Sequence, residues 1–186
     1  VKIHIYYIVT MKRLYFIRHG ESEANRRKII ASRSPSPLTK LGEEQAKLVG
    51  TRMKEVDIKI DLMLVSPLLC TQQTADIVSP FTPPLLREEY PDIIERDLSA
   101  LEGQSYAGYN SFLDYEKQLP DNLAIESMDA MLARAHKVLD YVRKRPEETI
   151  VLVSHGSFGM SLLEASNYPD YDALPYIDNC AILRLV

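Results

Sequence analysis

The sequence predicts an α/β fold: a three-layer α/β/α sandwich with a mainly parallel central sheet. Short apolar segments typical of buried strands alternate along the chain with segments whose apolar residues recur at helical spacing. Apolar residues make up 46% of the 186-residue chain and charged residues 26%, which is the composition of a globular protein. Alternation of this kind predicts parallel strands covered by helices on both faces of the sheet.

The charge balance excludes some classes of partner. The chain has 22 basic and 26 acidic residues, a net charge of −4, which argues against coating nucleic acid or an anionic membrane. No apolar run approaches the roughly 20 residues of a membrane span. Two cysteines, Cys70 and Cys180, are too few and too far apart to suggest a disulfide framework.

The first ten residues are apolar but contain Lys2 and His4, and they lack the cleavage pattern of a signal peptide. The first methionine, Met11, directly precedes a strong strand. We therefore predict one domain over residues 11–186, with residues 1–10 as an extension or an extra edge strand. Because no export signal is evident, a cytoplasmic location is expected.

Four strands and three helices are predicted. The strands cover residues 13–17, 62–65, 149–153 and 181–185, and the helices run from a cap at Thr39 to about residue 56, over 71–78, and from a cap at Ser127 to about 145. Residues 80–91 contain four prolines and are predicted to be a surface connection. Residues 104–125 are predicted to be a short helical insertion or a lid.

Two histidine–glycine pairs follow apolar strands, His19-Gly20 after the first and His155-Gly156 after the third. Ligands of open α/β sheets bind beyond the carboxyl ends of the strands, so these histidines are expected in one crevice with Arg18. A neutral imidazole is a nucleophile and an arginine is a two-pronged phosphate ligand, which together suit phosphoryl transfer. Cys70 could join both histidines as a third metal ligand, but the spacing matches no usual zinc pattern.

Five segments, in order, resemble the histidine phosphatase superfamily, in its phosphoglycerate mutase-like branch. They are Leu-Tyr-Phe-Ile-Arg-His-Gly-Glu-Ser at 14–22 with Asn25; Pro-Leu-Thr at 37–39 with Gly42, Gln45 and Ala46; Ser66 and Leu68 with Gln-Thr-Ala at 73–75; Glu95-Arg96 with Ala-Leu-Glu-Gly at 100–103; and Val-Leu-Val-Ser-His-Gly at 151–156. The resemblance covers nearly the whole chain. It implies the phosphoglycerate mutase-like fold and a small phosphorylated substrate, with no metal and no organic cofactor.

The resemblance also implies roles for individual residues. His19 would attack phosphorus and become a phosphohistidine, Arg18 and His155 would bind the phosphoryl oxygens, and Glu95 would act as general acid and base. Glu102 is the rival acid. The implied substrate-binding set is Arg18, Asn25, Ala31, Ser32, Cys70, Glu95, His155, Gly156 and Ser157.

One departure from the family pattern bears directly on activity. Cys70 stands where the family places a second pocket arginine, and a thiol cannot supply a permanently charged, two-pronged donor. Losing such a contact costs about 2–4 kcal/mol, or roughly a hundred- to thousandfold in rate. Nearby cations that could compensate are Arg26, Arg27, Lys28 and Arg33. Ala31-Ser32 and Ser99 are further departures.

The choice between phosphatase and mutase depends on how a substrate carboxylate would be bound. Mutases of the branch use paired arginines from an inserted segment, whereas this chain has no arginine between Arg96 and Arg134. Ser157 also stands where mutases tend to have asparagine. We therefore predict a phosphomonoester hydrolase. The alternatives are a weakened member that only binds phosphorylated ligands, because of Cys70, and a phosphoglycerate mutase.

Overall fold

The computed structural model describes residues 12–120, 122–169, 171 and 176–185, so the prediction for residues 1–10 lies outside the described residues. Five strands form one sheet in the order β3-β2-β4-β1-β5. Their bounds are β1 Arg13–Arg18, β2 Leu62–Val65, β3 Leu86–Glu89, β4 Thr149–Ser154 and β5 Ile182–Arg184. The pairs β1–β4, β2–β4 and β2–β3 are parallel, and β5 runs antiparallel to β1. The predicted α/β class with a mainly parallel sheet is confirmed.

The sheet separates two apolar clusters, because successive side chains of a strand point to opposite faces. Leu14 and Phe16 of β1 pack into one cluster, with helices α5 (Met128–Lys144) and α6 (Gly156–Ala165). Ile17 packs into the other, with helices α2 (Lys40–Glu55) and α3 (Leu69–Val78). The strands β2 and β4 are buried along their whole length, as expected for the centre of a covered sheet.

The predicted helix starts follow from side-chain caps. The Thr39 hydroxyl accepts a hydrogen bond from the Gly42 amide (3.0 Å), and the Ser127 hydroxyl caps α5 in the same way at Ala130. Helix α3 begins two residues earlier than predicted. The Leu68 carbonyl already accepts the amides of Thr71 and Gln72 there, which closes an additional turn.

The prediction for residues 80–91 is wrong in part, because they contain β3, an edge strand parallel to β2. Its sequence, Leu-Arg-Glu-Glu, is mostly exposed and lacks an apolar alternation, so only the backbone pairing defines it. Helices α6 and α1 (Glu23–Arg27) were not predicted from the sequence. The residues after His155 form the first turn of α6.

The predicted insertion contains helix α4 (Phe112–Glu116) and packs on a small apolar cluster of its own. Ile30, Leu98 and Leu101 form the buried centre of this cluster. The buried Arg96 guanidinium forms an ion pair with Glu116 and so ties the insertion to the body of the protein. Within the described ranges, no helix combines the length and the apolarity that crossing a bilayer requires.

Candidate active site

The two histidines meet at the carboxyl ends of neighbouring parallel strands. Arg18 on β1 pairs in register with Ser154 on β4, so the residues that follow, His19 and His155, lie side by side. Their ring centroids are 5.2 Å apart with an edge-on angle of 62°. Both side chains are buried and line the same cavity, as expected for a shared crevice.

His19 is held as a neutral imidazole with one nitrogen directed away from the backbone. Its Nδ1 lies 2.7 Å from the Gly20 carbonyl oxygen, which requires the Nδ1–H tautomer. Burial, with further contributions from His155 and Arg18, lowers the pKa of His19 from 6.5 to about 3. The Nε2 atom therefore carries a free lone pair at neutral pH, the form required of a nucleophile.

The loop that carries His19 packs tightly against the start of α2. A Cβ atom on Gly20 would lie 2.4 Å from the Gly42 carbonyl oxygen, and one on Gly42 would lie 2.1 Å from the Glu21 carbonyl oxygen. Both contacts involve backbone atoms, so neither position has room for a side chain. These two glycines fix the distance between the histidine loop and α2.

His155 is oriented by Ser66, which follows β2. Its Nε2 lies 2.7 Å from the Ser66 hydroxyl oxygen. Burial, with the positive charge of Arg18, lowers the pKa of His155 to about 3. His155 is therefore also neutral, and it offers a polar ring without a charge of its own.

Arg18 supplies the permanent positive charge of the site. Its guanidinium donates to the Ile177 carbonyl (2.5 Å) and stacks 4.8 Å from the centre of the Tyr176 ring. Its Nε atom is buried without a hydrogen-bond partner among the described residues. A buried guanidinium N–H without a partner is costly, and an anionic oxygen in the pocket would satisfy it.

The two rival carboxylates have different surroundings. Glu95 lines the pocket and accepts hydrogen bonds from the backbone amides of Arg96 (2.8 Å), Phe158 (3.1 Å) and Ser157 (3.3 Å). The last two belong to the first turn of α6, whose free N–H groups and dipole favour a carboxylate. Glu95 thus lies at the pocket with fixed orientation.

Glu102 instead closes the loop at residues 32–34, accepting from the Ser32 hydroxyl (2.8 Å) and the Ser34 amide (3.0 Å). Burial raises the pKa of Glu102, but the hydrogen bonds from Ser34 and Ser32 outweigh it, and the net pKa is lowered. Glu102 is also absent from the residues that line the pocket, so a structural role in this loop suits it better than proton transfer.

The remaining predicted binding residues divide into two groups. Asn25, Ala31, Cys70 and Ser157 line the pocket directly. Ser32 also borders the pocket, but its hydroxyl is engaged by Glu102. Gly156 lies beneath Tyr176, whose hydroxyl oxygen would be 2.0 Å from a Cβ at this position, so it provides space rather than contact.

Asn25 is oriented by the cap of α1. Its side-chain oxygen accepts hydrogen bonds from the Ser22 backbone amide and hydroxyl (both 3.1 Å) and from the side-chain amide of Asn179 (3.3 Å). Asn179 also donates to the His19 carbonyl (3.0 Å). Asn179 and Tyr176 were missed by sequence reasoning, because they lie in a segment without strand or helix periodicity.

The pocket lacks a second arginine at the position of Cys70. The Cys70 thiol is buried, and burial raises its pKa to about 12, so it carries no charge at neutral pH. Of the four candidate cations, Lys28 lines the pocket, with its Nζ 3.0 Å from the Tyr109 carbonyl. Arg33 instead donates to the Glu95 carbonyl oxygen (2.7 Å).

The other two candidates, Arg26 and Arg27, are exposed on α1, and Arg26 pairs with Glu23 there (2.6 Å). The cavity measures about 460 Å³. Beyond the histidines its wall is formed by the insertion and the segment around α1, through Tyr106, Asn110, Ser111, Phe112, Ile29 and Ile30. The insertion therefore forms part of the cavity wall.

Comparison with known protein families identifies the family of the chain. The sequence model of the histidine phosphatase superfamily (branch 1) matches residues 14–186. The chain belongs to this superfamily.

Relatives and solved structures give more specific names. A protein of Photorhabdus laumondii named "Probable phosphoglycerate mutase GpmB" is 34% identical over 78% of this chain and 70% of its own length. A protein of the same name from Proteus mirabilis is 33% identical over 94% and 85%. The mycobacterial glucosyl-3-phosphoglycerate phosphatase in complex with VO3 superposes with a TM-score of 0.72 at 21% identity (93% of this chain, 92% of that chain). The phosphoserine phosphatase of Entamoeba histolytica in complex with 3-phosphoglyceric acid gives 0.71 at 23% (92% and 89%).

Proposed function

We propose that the protein is a phosphomonoester hydrolase that works through a phosphohistidine on His19. The observation that carries this proposal is the neutral His19 imidazole, with Nδ1 bound to the Gly20 carbonyl, in a cavity that also contains Arg18 and Glu95. In the first step Nε2 attacks phosphorus, and the bond from phosphorus to the ester oxygen breaks. In the second step water attacks phosphorus, the bond to Nε2 breaks, and inorganic phosphate leaves.

The charge of the transferring group would be bound mainly by Arg18. Its buried Nε has no partner among the described residues, and a phosphoryl oxygen is a charge-assisted acceptor for it. His155 would donate its Nδ1–H to another oxygen, with Nε2 accepting from the Ser66 hydroxyl. Phosphoryl transfer needs little covalent help, so positioning and charge account for most of the rate.

Glu95 would move the protons. In the first step a protonated Glu95 gives its proton to the leaving oxygen, and in the second the carboxylate takes one from the attacking water. Its oxygens are held by backbone amides at the start of α6, so its position is the same in both steps. Microscopic reversibility allows one group to serve both roles.

Hydrolysis is favoured over isomerisation by the groups available for a substrate carboxylate. Lys28 is the one cation besides Arg18 among the described residues that line the cavity. Its ammonium group is a point charge rather than a planar fork, so it orients a carboxylate less strictly than an arginine pair does. The insertion contributes Tyr106 and Phe112 to the wall instead, which suits an apolar or aromatic portion of a substrate.

The proposal is tested by hydrolysis of an aryl phosphate by the wild type and His19→Ala, with His136→Ala as the control. His136 is exposed on α5, away from the pocket. We expect turnover in the wild type and the control and none in His19→Ala. Alkaline quenching during turnover should trap phosphate on His19, and this phosphate should be released by later acid treatment. Turnover by His19→Ala, or phosphate trapped on another residue, would contradict the mechanism.

Two alternatives are separated by further assays. If Cys70 weakens the pocket, Cys70→Arg should raise the rate roughly a hundred- to thousandfold, the inverse of losing one charged donor. An unchanged rate would show that the pocket is not limited by this charge. The names of the GpmB relatives favour a mutase as second candidate. A coupled assay for conversion of 3-phosphoglycerate to 2-phosphoglycerate tests it, and conversion faster than hydrolysis would replace our proposal.

A further inference from the structure

The cysteine that replaces the pocket arginine lies beside both histidines. One ligand atom each of His19, Cys70 and His155 lies within 4.8 Å of the others, and all three side chains are buried. Within the described part of the chain no other group of three His, Cys, Asp or Glu side chains converges in this way. An arginine at position 70 would fill this space with a cation.

The chemistry of the three groups matches a borderline-soft divalent metal. Thiolate sulfur and imidazole nitrogen are the ligands that Zn²⁺ prefers, at about 2.3 Å and 2.0–2.1 Å. Tetrahedral geometry with these bonds places the ligand atoms roughly 3.3–3.6 Å apart. The observed spread of at most 4.8 Å requires a closure of at most about 1.5 Å per pair, within reach of side-chain rotation.

The imidazoles are already oriented as metal ligands are. A ligating histidine usually donates its other ring N–H to a carbonyl or a similar acceptor. Nδ1 of His19 does so to the Gly20 carbonyl (2.7 Å), and Nε2 of His155 lies against the Ser66 hydroxyl (2.7 Å). In the His155 tautomer whose Nε2–H donates to the Ser66 hydroxyl oxygen, instead of the Nδ1–H tautomer that would bind a phosphoryl oxygen, the opposite ring nitrogens His19 Nε2 and His155 Nδ1 both offer a lone pair to the metal.

The pocket contains one positive and one negative side chain that would act on a bound metal cation. Arg18 opposes it, while the Glu95 carboxylate lines the same cavity. When the metal binds, the sulfur–hydrogen bond of Cys70 breaks, the proton goes to solvent, and the thiolate neutralises one of the two metal charges.

We propose that His19, Cys70 and His155 form a binding site for Zn²⁺, and that the bound metal competes with the phosphoryl group. Coordination uses the Nε2 lone pair of His19, so attack on phosphorus and metal binding exclude each other. The fourth position is open to water. The replacement of arginine by Cys70 thereby makes the phosphate pocket sensitive to zinc.

The test measures binding directly and does not depend on turnover. Zn²⁺ is titrated calorimetrically into the metal-free protein, and Co²⁺ serves as a spectroscopic probe. We expect one Zn²⁺ per chain, and a thiolate-to-Co²⁺ charge-transfer band with tetrahedral d–d bands. Cys70→Ser should remove the band and weaken Zn²⁺ binding about 100-fold or more, since even altering partners of metal ligands costs 10–100-fold. Cys180→Ser, at the half-buried second cysteine, is the matched control and should keep both signals.

Several outcomes would overturn the site. These are absence of Zn²⁺ binding to the wild type, a Co²⁺ complex without the charge-transfer band, or a loss of band and Zn²⁺ affinity in Cys180→Ser as large as that in Cys70→Ser. Unchanged binding in Cys70→Ser would also overturn it. Because the Co²⁺ spectrum of the wild type needs no variant, the test holds even if a substitution prevents folding. Vanadate added to the Co²⁺ complex should displace the metal, and a complex insensitive to vanadate would contradict the competition.

Discussion

The two buried neutral histidines should make the fold sensitive to mild acid. In the folded protein His19 and His155 have pKa values of about 3, whereas in the unfolded chain they return to about 6.5. As the pH falls below 6.5, the histidines become protonated in the unfolded state but stay neutral in the folded state, so stability falls with pH. The free energy of unfolding continues to fall until the pH reaches the pKa values of the two histidines in the folded state.

The magnitude follows from the two pKa values. Between pH 7.5 and pH 5, each histidine contributes a loss of about 2 kcal/mol in the free energy of unfolding, and the pair about 4 kcal/mol. This is a large fraction of the 5–15 kcal/mol that stabilises a typical domain. The carboxylates with lowered pKa values, Asp97, Glu102 and Glu147, ordinarily titrate below this window, so they add little to the loss.

Urea denaturation at a series of pH values between 7.5 and 5 measures this loss. Replacing either histidine by asparagine should halve the slope, to about 2 kcal/mol over the window. His136→Asn, at an exposed histidine on α5, should leave the slope as in the wild type. The reasoning is refuted if the wild type loses less than about 1 kcal/mol, or if His19→Asn and His155→Asn keep the full slope.

Three further predictions concern the acid and the close contacts. Glu95→Gln should lower kcat about 10²–10⁴-fold for alkyl phosphates and much less for aryl phosphates, whose leaving groups need no proton; equal losses in steady-state assays would argue against the general acid. Gly42→Ala should cost roughly 1–3 kcal/mol in chemical denaturation, because its Cβ would lie 2.1 Å from a backbone oxygen. Leu41→Ala, at a half-exposed neighbour, should stay within about 0.5 kcal/mol. Gly159→Ala should cost roughly 1–3 kcal/mol, since its Cβ would lie 2.5 Å from the Phe16 ring, and unchanged stability would contradict the tight packing of α6.

The parts of the fold that sequence predicts well are those with a local physical signal. Thr39 and Ser127 predict helix starts because a capping side chain binds a backbone amide only three residues further along the chain. Strand β4 is predictable because it is apolar throughout and buried on both faces. Strand β3 has no such signal, since its definition depends on pairing with β2 across about 20 intervening residues of sequence.

The same distinction applies to the candidate site. His19 and His155 are found from sequence because each directly follows an apolar strand and precedes glycine. Their roles and that of Glu95 remain predictions. Only the structure shows that Glu102 binds the loop at residues 32–34 and that Arg33 donates to the Glu95 carbonyl. These charged side chains contact residues far away in the sequence, so no local pattern predicts them. Tyr176 could not have been anticipated, since its contact with Arg18 spans a segment without periodicity.

The insertion has a consequence for how the pocket can change during evolution. Its apolar cluster shares no residue with the two clusters that hold the sheet together. Its wall residues, such as Tyr106 and Phe112, can therefore be exchanged at the expense of this small cluster alone. Arg18 instead ends β1, and His19 and His155 directly follow β1 and β4, which lie inside the sheet and pack into both main clusters. The fold thus attaches the two histidines and Arg18 to the main core and part of the cavity wall to a separate small cluster, so we expect substitutions in this wall to leave the positions of the histidines unchanged.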